Sequence, residues 1–242
     1  MKCKLCLQEK ELCGKSHIIP NFMYGELFDE KHRLIKFTTL TPGSDSVAQS
    51  GEYEDDILCE DCDNRIIGSL ENYASKVLYA GQISVKQTNY KLQDGLEFAQ
   101  VDGLDYKKFK LFLLSLLWRA SISNKAFFQN VSLGPYEEKI RQMIINNDAG
   151  SEEIFPCVLL SYRKTSLPEK IIMAPKKIRL NNKIGYYFMI AGIVYIFIVS
   201  EKEQTDWILE AAIKNNGGMK LIFGEEESAR KMLNKFLGVQ LF

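Results

Sequence analysis

The chain has 242 residues, 46% of them hydrophobic, with 31 basic and 31 acidic side chains. That length and apolar content fit one large domain or two smaller ones around a real core, so the chain reads as soluble and globular. Zero net charge excludes a blanket attraction of the whole molecule to nucleic acid or to an anionic membrane.

The N-terminus reaches Cys3 at once, with no apolar stretch and small-residue cleavage site, which leads us to expect a reducing, cytoplasmic setting. There, paired cysteines read as metal ligands before disulfides. Cys3-Lys4-Leu5-Cys6 has the form of a zinc knuckle, a turn whose backbone N–H groups can also donate to the thiolates. Ser16-His17-Ile18-Ile19-Pro20 is β-branched and predicts an extended segment ended by Pro20. Asn21 to Phe28 suits a helical turn or two, Leu34 to Leu40 a strand, and the polar stretch Thr41 to Asp56 a mobile loop, while His32 reads as a surface residue. Cys59-Glu60-Asp61-Cys62 then opens a helix marked by Leu70, Tyr73, Ala74, Val77 and Leu78. Cys3, Cys6, Cys59 and Cys62 together supply a closed tetrahedral shell for one structural Zn²⁺. Chemistry must then belong to what the zinc holds, and His17 is its first candidate. Cys13 and Cys157 read as ordinary thiols, with Cys13 an alternative knuckle ligand.

Ile83 to Val101 predicts two strands around Asp94-Gly95, and Asp105 to Ile122, apolar nearly all round, predicts a buried central helix. An amphipathic helix over Pro135 to Asn146 follows, then strands at Phe155 to Tyr162, Lys170 to Ile178, Gly185 to Ile190 and Ile193 to Ser200. Helices around Thr205 to Lys214 and Glu225 to Leu237, with a strand at Met219 to Phe223 between them, complete an α+β domain with an antiparallel sheet over residues 81–242. The apolar run Ile184 to Ser200 is short for a bilayer span and is split by Ala191-Gly192, so it predicts a buried hairpin and no membrane partner. Its aromatics Tyr186, Tyr187, Phe188, Tyr195 and Phe197 suit a core better than base stacking. Trp118-Arg119, with Glu137, Glu138 and Arg141, reads as an aromatic anchor and surface ion pairs, a second site being the alternative.

Charge is uneven: residues 1–100 carry 11 basic and 16 acidic side chains, residues 101–242 carry 20 and 15. A polyanion would therefore meet the second half first, at Arg163, Lys164, Lys176, Lys177 and Arg179, though solvated strand edges explain the same run.

Knuckle, extended His-Ile-Ile-Pro segment and helix carrying the second cysteine pair follow the order of a treble-clef zinc finger. Over roughly the first 80 residues this arrangement resembles the zinc-stapled HNH (ββα-metal) endonucleases, the endonuclease VII type most of all. The resemblance implies a metal-dependent DNA endonuclease in which Mg²⁺ or Mn²⁺ assists the leaving oxygen and His17 is the general base. By position, the resemblance implies that Ser16 and Asp63 would hold that ion, with Asn64 in support. The family has Asp or His at the first position and Asn or His at the second. Its middle Asn is missing here, where Glu54, Asp55 and Asp56 stand. Forty-one residues separate His17 from Cys59, so 22–53 reads as an insertion in a module of residues 1–80. The likeness implies a place in a bacterial or phage defence setting, with DNA and a regulatory protein as partners. A zinc-stabilised module that binds nucleic acid or protein without cutting is the alternative.

Overall fold

The computed structural model describes residues 1–25, 27–31, 33–37, 45–48, 51–80, 84–92, 96–165, 171–180, 182–201 and 207–237. His32, Lys170 and the Asp94-Gly95 turn lie outside the described residues. In chain order the elements are β1 (Ser16–His17), β2 (Leu34–Phe37), β3 (Asp45–Ala48) and β4 (Tyr53–Glu54), then a π-helical segment (Asp61–Ile67) running into α1 (Gly68–Leu78). There follow β5 (Ser84–Lys91), β6 (Glu97–Asp102), α2 (Tyr106–Ile122), α3 (Pro135–Ile145), β7 (Cys157–Ser161), β8 (Ile171–Leu180), β9 (Lys183–Ile190) and β10 (Ile193–Val199). The chain closes with α4 (Trp207–Ala211), β11 (Met219–Phe223) and α5 (Glu226–Leu237). The fold is mixed α+β, and no helix among the described residues is long and apolar enough to cross a membrane.

Two sheets form. β1 and β4 make a small antiparallel pair, and nine strands make a large sheet in the order β3-β2-β8-β9-β10-β7-β11-β6-β5. The expected antiparallel sheet is in fact mixed, because β2 runs parallel to β8 and β7 parallel to β11. β2 comes from the N-terminal half and β11 arrives after α4, so neither pair is joined by a tight turn that would force antiparallel pairing. The loop expected over Thr41 to Asp56 also needs correction, since it contains β3, paired with β2, and β4, paired with β1. Ladder bonds at a sheet edge are made by the main chain, so a polar sequence can form them without an apolar pattern to announce it.

β7, β9 and β10 are buried on both faces over most of their length, which is why they read as near-continuous apolar runs, whereas β8 is buried on both faces only over its first half. One face carries Leu159, Tyr186, Phe188, Tyr195 and Phe197 into the main core with α1, α2 and α3. The other carries Val158 and Ile198 against α4, and Met173, Met189 and Val194 against Ala229 of α5. Of the aromatics in the β9–β10 hairpin, all but Tyr187 are therefore core. The core also reaches Cys3, Leu5, Ile19 and Leu58, so the cysteine-bearing segments and the helices share one apolar interior.

α2 begins where the Asp105 carboxylate accepts from Lys108 N at 3.0 Å, satisfying a first-turn donor. The helix buries even Lys110, which is 2% exposed and donates to Tyr106 Oη at 3.0 Å and to the Ser151 carbonyl at 2.5 Å. Burial holds the Lys110 ammonium down to about 8, against the raising influence of Glu152, Glu153 and Asp148. In the unfolded chain the same lysine titrates near 10.5. Between these values the unfolded chain keeps a proton that the folded chain has lost. Stability from this group therefore rises with pH across that window. Urea denaturation of wild type and Lys110→Met should show their stability difference moving in the wild type's favour by roughly 3 kcal/mol from pH 7.5 to 10.5. A difference that does not change with pH contradicts this assignment.

A candidate metal centre and the His17 site

The knuckle is built by backbone. Leu7 N donates to the Cys3 carbonyl at 2.9 Å and Cys3 N to Gln8 O at 3.0 Å, with Leu7 in the left-handed region at φ 60°. Lys4 N donates to Ile57 O at 2.9 Å and Cys13 N to Leu58 O at 2.8 Å, which bring the second cysteine pair to the first. As a result the sulfurs of Cys3, Cys6, Cys59 and Cys62 all lie within 4.8 Å of one another, with Cys6 and Cys59 at 3.9 Å. Sulfurs about 2.3 Å from one tetrahedral ion stand about 3.8 Å apart, so the four can hold a single thiophilic metal ion with little adjustment.

The thiols are prepared unequally. Burial works to raise the Cys3 thiol, but the N–H groups of Cys6, Cys59 and Leu5 aim at its sulfur and bring it to about 7. Cys59 N stands 3.3 Å from that sulfur. Burial and the neighbouring sulfurs push Cys62 well up. Without a cation the cluster cannot keep four thiolates, and with one it can. Cys13 lies beside this centre, where burial and the nearby Asp63 and Glu60 raise its thiol, and Cys157 is buried in the core.

Next to the cysteines stands the β1–β4 pair, with Ser16 opposite Glu54 and His17 opposite Tyr53. It is prolonged by Ile18 N donating to Glu52 O at 3.0 Å. The π-helical segment carries Cys62, Asp63 and Asn64 past this pair, and its wide turn is closed by Gly68 N donating to the Asp63 carbonyl. Asp63 is half-buried and Asn64 exposed. Burial raises the Asp63 carboxyl, as does Glu71, while Arg119, Ser16 and His17 draw it back down. Ser16, His17 and Asp63 are thus electrostatic neighbours. Ser16 Oγ is fully buried and lies near the Asp63 carboxyl, yet it closes no hydrogen bond of standard geometry.

Two further members of the site come from outside the motif. Arg119 of α2, 1% exposed, donates through Nη1 to the His17 carbonyl at 2.7 Å and to Glu71 Oε1 at 2.6 Å. Its Nη2 is buried and has no hydrogen-bond partner among the described residues. The sequence offered one signal for this, an arginine inside an otherwise apolar helix, which must be paired if it is to be buried at all. Of Trp118, Arg119, Glu137, Glu138 and Arg141, Arg119 alone turns to this site, while the other four line a separate cleft in which Arg141 and Glu138 form the expected ion pair. Arg141 holds the Leu5 carbonyl and Glu138 in this cleft of about 520 Å³ between the knuckle, α2 and α3.

The basic candidates do not converge. Arg163 donates to the Ala191 carbonyl at 3.2 Å and sits over the Tyr79 ring, while Lys164 lies over Phe223. Lys176 pairs with Tyr187 and Lys177 with Tyr186, so strand alternation sends Lys177 and Arg179 to one face of β8 and Lys176 to the other.

No family model matches the chain, and neither a curated protein nor a solved structure matches it significantly.

Two outcomes follow from this geometry. Elemental analysis of protein purified without added chelator should find one thiophilic metal ion per chain, lost together with cooperative thermal unfolding in Cys59→Ser; a metal-free wild type with the same melting temperature contradicts the centre. Arg119→Met removes the partner of Glu71 and of the His17 carbonyl and should cost about 3 kcal/mol in urea denaturation, whereas exposed Lys177→Met should cost less than about 0.5 kcal/mol.

Proposed function

We propose that this chain is an HNH-type, metal-dependent DNA endonuclease whose N-terminal treble clef is stapled by Zn²⁺ on Cys3, Cys6, Cys59 and Cys62. One observation carries the reading: the β1–β4 pair bearing His17 is followed, just after Cys59, by the helix that carries Cys62 and Asp63, with Ser16 and Asp63 side by side. A strand pair that carries a histidine, followed by a helix that carries a carboxylate, can supply the base and a metal ligand for phosphodiester hydrolysis assisted by a single hard cation.

Asp63, with Ser16 as its buried neighbour, would hold Mg²⁺ or Mn²⁺, and such an ion supplies electrophilic help to the phosphodiester and its leaving oxygen. His17 takes the proton of the attacking water, the role of a general base. Arg119 fixes the His17 main chain and, with Glu71, sets the charge around Asp63. Lys177 and Arg179, exposed on one face of β8, are the sequence-predicted cations best disposed to meet phosphates together.

A second reading has its own support. The Arg119 guanidinium already gives Glu71 and Asp63 a buried positive charge, which makes a divalent cation less necessary there. On that reading the module binds DNA or a protein without cutting.

A supercoiled-plasmid assay with Mg²⁺ and with Mn²⁺ separates the two. The endonuclease reading expects nicking by wild type and a fall of at least about 100-fold in both His17→Ala and Asp63→Ala. Equal nicking by all three proteins overturns it, and a wild type that retards DNA without nicking it establishes the second reading.

A further inference from the structure

Tyr53 sits opposite His17 in the β1–β4 pair, so the two side chains share one face of it, and Lys15, two residues before His17, points the same way. Two ammonium groups gather on that face. Lys15 Nζ lies 4.8 Å and Lys125 Nζ 5.7 Å from the centre of the Tyr53 ring. Lys125 is brought there from the far end of α2 by a specific clamp. The buried Glu54 carboxylate accepts from Ser123 Oγ at 2.7 Å, Asn124 N at 2.6 Å and Lys125 N at 3.0 Å. Glu54 thus spends its charge on backbone and hydroxyl donors. Among the described residues neither Lys15 nor Lys125 forms an ion pair, although exposed Asp55 is a sequence neighbour of the clamp. Two unpaired cations held over an aromatic ring, on the face that carries His17, suit an anionic, repeating ligand.

We propose that Lys15, Tyr53 and Lys125 form the track on which the DNA backbone lies as it passes His17, the two ammoniums binding adjacent phosphates. The track lies on residues outside the motif that suggested the site, and it differs from the basic run on β8. The proposal rests on DNA being the ligand of the His17 site, as set out above.

Fluorescence anisotropy of a labelled 20-base-pair duplex, in Ca²⁺ to hold off cleavage, tests it on the full chain. Lys15→Ala and Lys125→Ala should each weaken binding about 8-fold at 0.1 M salt, and each should lower the slope of log K against log salt by about 1. Lys107→Ala, on exposed α2 surface away from β1, should change neither. Glu54→Gln, which loosens the clamp but keeps both lysines, should weaken binding less than Lys125→Ala. Unchanged affinity and slope in both lysine variants overturn the track. Failure of the wild type to nick DNA while both lysines still govern binding removes the endonuclease and leaves the track; nicking with lysine-independent binding does the reverse.

Discussion

Four cysteine sulfurs gathered within 4.8 Å of one another are the constraint on which the first half of this molecule depends. Fifty-two residues lie between Cys6 and Cys59, and closing a loop of that size costs chain entropy that short segments such as β1 and β4 cannot repay with two residues of ladder each. A metal ion bound to four thiolates returns its binding free energy to the fold. The backbone shows the preparation for it: donors converge on Cys3, and Lys4 and Cys13 are tied to the segment that leads into Cys59. On the proposed reading, zinc does no chemistry and fixes the distance between the strand pair and the helix.

A second tie comes from α2. Arg119 reaches from the last turn of this buried helix to the His17 carbonyl and to Glu71 on α1. A guanidinium that is 1% exposed carries a desolvation cost of several kcal/mol, so its partners must be held rigidly for it to remain charged. The effect is to register the cysteine-bearing segments against the helices over the large sheet. Glu54 does the same from the other side, through the donors of residues 123–125. His17 and Asp63 therefore sit where three elements meet, which is also where a half-buried carboxylate is driven upward by burial.

Much of this was legible in the residues. Two Cys-x-x-Cys pairs specified the cluster, the all-apolar face pattern of Phe109 to Trp118 specified α2, and unbroken β-branched and aromatic runs specified β9 and β10. What the sequence hid is what depends on long-range backbone pairing. β3 and β4 lie in polar sequence because edge and two-residue strands need no apolar alternation, and the parallel joins of β2 and β11 depend on which edges remain open once β7 to β10 have paired. At the site, Ser16, His17 and Asp63 were singled out by the resemblance, from their positions beside the cysteine pairs. Arg119, Glu71 and Glu54 were not, since 102 positions separate Arg119 from His17 and no local pattern connects them. The basic run from Arg163 to Arg179, which looked continuous in sequence, is divided by strand alternation and by the turn after β7.

The central claim is that the strand pair and the helix hold His17 and Asp63 close enough to serve one hard cation. With only two histidines in the chain, imidazole signals report on it directly. Histidine-labelled protein titrated with substoichiometric Mn²⁺ should show broadening of the His17 ring signals, and Asp63→Ala should abolish that broadening. Sharp His17 signals throughout the titration, or broadening that survives in Asp63→Ala, would contradict the account.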